Sequence, residues 1–475
     1  MPANDQLTAL DATFLELEQA DDSALMHIGG ALVFDPLPGG GTPAIADVRE
    51  DLEQGLHLLP RYRQKLSAAR IGGLSWPCWE HDQRFQIEAH VRHATLPSPG
   101  DEREFLDWIS EFYSHRLDRS RPLWEMALLD GLEHGRWAVV WKTHHCLVDG
   151  VGSVDVAHLL LNSEPAPRQP SPPHTAPIAA SDDARHGWLP HPPAPVGQAA
   201  DAGLAAARLG THALMHPREA MERSRAVIDL LVRDELIAAP SSSLNVPIGA
   251  TRRIATVHAE LQELQKVRSA LGGKVNDVLL STVTGALRKL LIERGEDPPR
   301  QGLRAMVPVN IRREGEHGEL GNKVSSLFVE LPVAEADPLR RYELVRAAAE
   351  KHKTGGQALA VAAVTGLTEL APPVLHAGLA RLLNAKRLFN ITITNVPGPA
   401  SRLYATGAPM IDIVPVVPLA AEHAVGIAVI SYAGGVTFGL YADRGTMPDL
   451  DVLSDGIATS LHELATLAQT TAAAR

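Results

Sequence analysis

Only two cysteines, Cys78 and Cys146, occur in the 475 residues. That excludes a disulfide framework and a thiolate metal cluster, and it suits a reducing compartment. Cys146 reads as a small packing residue. Long apolar runs are also missing. No stretch of about 18 apolar residues exists, which excludes a clean membrane-spanning helix. The segment from Thr354 to Ala380 comes nearest, with Glu369 as its one formal charge, but Gly355, Gly356, Gly366, Pro372 and Pro373 interrupt it. It reads either as buried helices beside an apolar tunnel or as a surface dipping into a lipid interface. Positive charge is in deficit, with 44 Lys+Arg against 56 Asp+Glu and a net charge of -12. This argues against nucleic acid as a partner. The opening residues Met1-Pro2-Ala3-Asn4-Asp5 lack the basic and apolar regions of a signal peptide, so a cytoplasmic protein is expected. No set of His, Cys and carboxylates has ligand spacing, so no metal is expected.

What is present suits a folded protein: 45% hydrophobic and 21% charged residues. The length calls for roughly two domains of about 200 residues each. Ten prolines lie between Asn162 and Pro195. Proline removes backbone donors and fixes φ, so this stretch reads as an extended linker. The expected division is a domain over 1–161, a linker over 162–200 and a domain over 201–475. Both flanking parts mix strands and helices. Ala24 to Phe34 and Trp137 to Trp141 read as strands, and Phe105 to Leu117 as a helix. Ser153 is placed to cap a helix that includes Val154, Val156, Ala157, Leu159 and Leu160. Further on, Leu261, Leu264, Val267 and Leu271 share a helical face that Gly272-Gly273 ends. Asn276 opens another helix carrying Leu279, Val283, Ala286 and Leu290. Arg304 to Ile311, Val324 to Leu331 and Phe389 to Thr394 read as strands. Ala424 to Tyr432 and Val436 to Tyr441 form a hairpin around Ala433-Gly434-Gly435. The fold class is therefore α/β (α+β).

The most informative stretch is His144-His145-Cys146-Leu147-Val148-Asp149-Gly150. It follows an apolar strand and ends in a turn signal. His145 is placed to take a proton from a hydroxyl, amine or thiol near neutral pH. Strand alternation turns His144 to the opposite face, in a supporting role. Asp149 either orients the imidazole as a third group or binds amides to shape the loop, and the loop-shaping role is preferred. Gly150 supplies backbone freedom and room beside the base. No Gly-x-Ser-x-Gly lies nearby, so the hydroxyl to be activated belongs to the substrate.

An acyl transfer also needs a donor for the developing oxyanion, and Asn276 is the candidate. Helix capping is the competing reading, since Asn-Asp at a helix start is ordinary capping chemistry. Asn395-Val396-Pro397-Gly398-Pro399 reads as a rigid turn that ends a strand. Trp124, in Pro122-Leu123-Trp124, reads as core.

Together these residues resemble the bacterial wax ester synthase/diacylglycerol acyltransferase family. That family lies within the coenzyme A-dependent acyltransferases built like chloramphenicol acetyltransferase. The likeness runs from Leu10-Asp11-Ala12-Thr13-Phe14-Leu15 and Met26-His27-Ile28-Gly29-Gly30 through Pro60 to Leu66, Pro122 to Glu125 and the His144–Gly150 heptad. It continues through Leu244-Asn245, Pro247-Ile248-Gly249, Val275 to Val278, Met306 to Val309, Asn395 to Pro399, Phe438-Gly439-Leu440 and Asp443-Arg444. The heptad alone is shared with peptide-synthetase condensation domains. The resemblance implies two chloramphenicol-acetyltransferase-like domains with mixed sheets and flanking helices, and a channel between them. It implies His145 as the base, with Asn276 on the oxyanion. Fatty acyl-CoA would be the co-substrate, with no other cofactor. Diacylglycerol or a long-chain fatty alcohol would be the acceptor, and the site of action the inner membrane face or a lipid-droplet surface. Many relatives carry Gly-Leu-Asn-Ile where this chain has Ala424-Val425-Gly426-Ile427. Two rivals stay open at this point: an acyltransferase taking its acyl group from a carrier protein, and a non-catalytic lipid-binding relative.

Overall fold

The structure, a computed structural model, describes residues 7, 9–67, 77–147, 156–165, 238–310, 324–354 and 388–473. All of these fall in one compact unit, Gln6–Ala166 with Ala238–Arg475. Asp149, Gly150, Ser153, the expected linker beyond Pro165 and the charge-poor segment beyond Thr354 lie outside the described residues.

The strands are His27–Phe34 (β1), Gln64–Leu66 (β2), Trp79–His81 (β3), Val91–Thr95 (β4), Trp124–Asp130 (β5), Trp137–His144 (β6) and Arg252–Glu260 (β7). They continue as Leu303–Asn310 (β8), Val324–Leu331 (β9), Ile391–Pro397 (β10), Tyr404–Ala405 (β11), Ala408–Val416 (β12), Val425–Tyr432 (β13) and Gly435–Asp443 (β14). They form two mixed six-stranded sheets, ordered β11-β12-β1-β6-β5-β4 and β7-β14-β13-β10-β8-β9, beside the β2-β3 ribbon. The helices are Ala9–Ala20 (α1), Ile45–Gly55 (α2), Glu102–Ser114 (α3), Leu261–Leu271 (α4), Val275–Glu293 (α5), Pro338–Thr354 (α6) and Leu450–Ala473 (α7).

β6 is apolar because both its faces are covered. Trp137, Val139 and Trp141 pack on one side with Phe34, Trp124 and Met126. Ala138 and Val140 pack on the other with Ala31, Val33 and Tyr113. The same alternation puts Lys142 and His144 on the face of Ala138 and Val140. All eight residues of β6 are buried, and the strand runs on to His144, three residues past its expected end. β1 pairs antiparallel with it, with His27 opposite His144.

The second sheet is covered by helices. In α5 every residue from Asp277 to Leu287 is buried, as expected of a helix enclosed on all sides. α4 packs on its start, and α6 and α7 pack along it. α4, α5, β9 and the β13–β14 hairpin fall close to where the sequence puts them.

Two expectations are corrected. The helix expected after Ser153 is, over the described residues, a short 3-10 turn, Val156–Leu160. Asn395-Val396-Pro397 does not follow a strand but belongs to β10, paired in parallel with Val429, Ile430 and Ser431 of β13. The described pairing of β10 with β8 stops at Thr392, so Pro397 lies where a missing N–H costs no ladder bond there.

One strand, β12, is absent from the sequence reading. It comes from the C-terminal part of the chain yet lies in the first sheet, antiparallel to β1 from Gly29↔Val416 to Leu32↔Ile413. The carbonyl of Pro415 passes so close to Gly439 of β14 that a Cβ there would collide with it. Thr437 Oγ1 of β14 also donates to Asp412 Oδ1 at 2.7 Å. β12 therefore belongs to one sheet and is braced by the other.

Candidate active site

The site is built where β6 stops. After His144 the chain turns through one 3-10 turn, His145–Leu147, and α1 packs over that turn. The His145 N–H donates to Met26 O at 2.8 Å, which pins the turn to the residue before β1. The His145 ring stacks on Phe14 of α1, with centroids 3.9 Å apart and planes 20° from parallel. Its Nδ1 is enclosed with no hydrogen-bond partner among the described residues. The residue is half-buried, and most of its surroundings are protein. That burial lowers its pKa to about 4, against a smaller opposing pull from the carbonyl of His145 itself. At neutral pH the ring is uncharged, the state a general base needs.

His144 is fully buried. Its Nδ1 accepts the N–H of Cys146 at 3.2 Å, and its Nε2 stands 3.5 Å from Glu18 Oε2. Across the strand pair, His27 Nε2 stands 3.6 Å from Glu18 Oε1. Arg119 Nη2 donates to Glu18 Oε2 at 2.5 Å. Burial by itself would raise the Glu18 pKa. The hydrogen bond and charge of His144, then Arg119 and His27, outweigh it and hold the carboxyl at about 2. Burial drives His27 well below the usual imidazole range, with Lys142 and His144 adding to the effect. Burial also lowers His144, against the pull of Glu18. The neighbouring backbone is made for close approach. Gly29, opposite Lys142, has φ +149, and a side chain there would run into the Trp141 carbonyl and the Tyr113 hydroxyl.

Asn276 lies in the first turn of α5 and is half-buried. It is not the cap. Asp277 fills that role by accepting the Lys274 N–H at 2.7 Å, and the Asn276 side chain has no hydrogen bond among the described residues. Among the described residues no hydrogen bond, ion pair or ring contact joins Asn276 to His144 or His145. Cys146 is buried, and burial pushes its thiol well above the usual range, which suits packing over reactivity. Trp124 is core: it stacks on His90 with centroids 4.6 Å apart and donates to Tyr62 O at 2.9 Å.

Several other motifs form structural braces. Asn245 accepts from Asn390 at 2.6 Å, and Asp443 accepts the Gly249 N–H at 2.9 Å. Two cavities of ≈ 710 and ≈ 290 Å³ lie away from both His145 and Asn276 and are lined largely by polar and charged side chains. Among the described residues no His, Cys, Asp or Glu cluster is placed to hold a metal. Likewise no helix there is long and apolar enough to cross a membrane.

The sequence reading missed Glu18, His27, Arg119 and Phe14 as neighbours of the heptad. The one local signal is that Phe14 and Glu18 lie four apart and so share one face of a helix, which pairs them with each other but not with the heptad.

Two mixed sheets with this topology make a fold shared with condensation domains. The first condensation domain of the CDA synthetase aligns with a TM-score of 0.59 at 17% identity, covering 98% of this chain and 97% of that one, a likeness of fold alone. The model of the wax ester synthase/diacylglycerol acyltransferase catalytic domain matches residues 7–279, and that of the WS/DGAT C-terminal domain matches residues 320–465. The chain therefore belongs to the wax ester synthase/diacylglycerol acyltransferase family and is an acyltransferase. A protein of Mycobacterium tuberculosis named as a probable diacylglycerol O-acyltransferase is 30% identical over 474 residues, 98% of this chain and 96% of its own. A second from the same organism, of the same name, is 32% identical over 463 residues, 96% of this chain and 97% of its own. The solved wax ester synthase/diacylglycerol acyltransferase from Marinobacter aquaeolei VT8 aligns with a TM-score of 0.69 at 28% identity, covering 98% of this chain and all of that one.

Proposed function

We propose that the protein moves a fatty acyl group from acyl-CoA to the hydroxyl of diacylglycerol or a long-chain alcohol, with His145 as general base. The observation that carries this is the state of His145: uncharged, stacked on Phe14 and placed on a turn pinned to Met26. Nδ1 is enclosed, which leaves Nε2 to take the proton of the acceptor hydroxyl. The alcohol oxygen then attacks the thioester carbonyl, and the C–S bond breaks as the tetrahedral intermediate collapses. The coenzyme A thiolate leaves and recovers the proton from His145. Asn276 supplies the donor to the oxyanion. A side chain free of capping duty is consistent with that role. Asp149 and Gly150 shape the loop beyond the turn. Both acceptors are lipids, so the enzyme works at a membrane or lipid-droplet surface on the cytoplasmic side.

The test is coenzyme A release from palmitoyl-CoA, with diacylglycerol and hexadecanol as parallel acceptors and His145→Ala as control. Acceptor-dependent release that disappears in the variant is expected. Full release by a folded His145→Ala protein would overturn the role of the base. No release from folded wild-type protein with either acceptor would overturn the choice of acyl-CoA as donor.

A further inference from the structure

We propose that α1 is the positioning element of the reaction: Glu18 fixes the tautomer of His144, and Phe14 fixes the plane of His145. This rests on His145 being the base. In the neutral His144 ring, Nδ1 accepts the Cys146 N–H at 3.2 Å, so the proton sits on Nε2. That nitrogen faces the Glu18 carboxylate at 3.5 Å. The other tautomer would set N–H against N–H at Cys146 and lone pair against carboxylate at Glu18, so two repulsions would replace two attractions. The charge on Glu18 therefore selects the form of His144 that holds Cys146, and Cys146 is the second residue of the turn that begins with His145.

Glu18 is more than one half of an ion pair with Arg119. Arg119 takes Oε2, while Oε1 is buried, has no hydrogen bond among the described residues and faces His27. A carboxylate kept only for stability would have both oxygens satisfied. One helical turn before Glu18, on the same face of α1, Phe14 stacks on His145. One helix therefore reaches both histidines by two different means, charge for His144 and a flat apolar ring for His145. Three cations lie around this group: Glu18 meets Arg119, and Lys142 and Arg252 act on His27 from β6 and β7. Loss of Glu18 is therefore felt at the turn itself.

The experiment labels histidine with ¹⁵N and reads the tautomer from long-range ¹H–¹⁵N correlations, assigning His144 by its loss in His144→Gln. Wild-type protein is expected to show the Nε2–H form of His144. Glu18→Gln, which removes the charge while a carbonyl acceptor and the Cys146 N–H remain, is expected to lower the share of that form and to lower kcat by about 100-fold with KM little changed, as a base held slightly out of place does. Glu18→Asp should restore part of both. Phe14→Leu should keep the tautomer and lower kcat by about 10-fold, in line with the loss of one ring stack. A wild-type His144 protonated on Nδ1 overturns the proposal whether or not any variant folds. So does a folded Glu18→Gln protein with wild-type kcat. The tautomer is read without substrate, so an inactive wild-type protein would count against the acyl-CoA reading and not against this one.

Discussion

The turn after β6 and the first turn of α5 hold the two side chains proposed for the chemistry, and they are built on opposite terms. Around Asn276 the local needs are met. Asp277 closes the helix start, and the helix behind it is buried through Leu287. Around His145, α1, β1 and β6 bring Glu18, His27 and His144 together with hydrogen-bonding atoms left unmet among the described residues. Burying such groups without partners is costly, and structures keep them where their charge state is used. The difference teaches that the buried helix behind Asn276 makes a platform, whereas burial of Glu18, His27 and His144 at the end of the first sheet shifts their ionisation.

The largest effect that breaks this comparison should come from His145→Ala, with a loss of about 100- to 10,000-fold in kcat. Its melting curve should stay close to wild type, and steady-state rates beside a thermal melt check both. Asn276→Ala should lower kcat by about 100- to 1000-fold without loss of helix stability, because Asp277 carries the cap. A drop in melting temperature with little change in kcat would return Asn276 to a structural role.

The pH dependence sharpens the contrast. The acid limb of kcat/KM should follow a group of pKa about 4, not the ordinary 6.5. Stability follows with a definite sign. Between pH 6.5 and about 4 the unfolded chain binds a proton at this histidine that the folded chain refuses. Stability is therefore full above 6.5 and falls as pH drops through that window. Glu18 extends the loss between 4.5 and about 2. Denaturant melts at stepped pH measure this, and a flat stability from pH 7 to 4 would contradict the burial of these groups. Smallest in its effect on rate is Leu287→Ala in the core of α5. It should cost about 2–5 kcal/mol of stability while leaving kcat per folded molecule unchanged.

Much of the fold was legible because its elements carry strong local patterns. α4 ends at Leu271 before the glycine pair, and β9 spans the same residues as its alternating run. The hairpin forms around Gly434. β12 was not legible, since Pro409 and Pro415 fall inside it and proline ordinarily argues against a central strand. Of the site, His145 and Asn276 stood out by residue type and spacing. Glu18 and Phe14 did not, because nothing in an amphipathic helix near the start of the chain says that it will lie across a turn 125 residues further on. That closeness is a product of the sheet, and single-sequence patterns do not carry it.

β12 also makes the two parts of the chain poor units of exchange. It lies directly on Gly29 and Gly30, two and three positions from His27. A hybrid that joins the first 166 residues of this protein to the C-terminal part of a relative would import a foreign strand beside the histidines. Recombination in this family is therefore better placed so that β1 and β12 travel together, although some 380 residues of chain separate them.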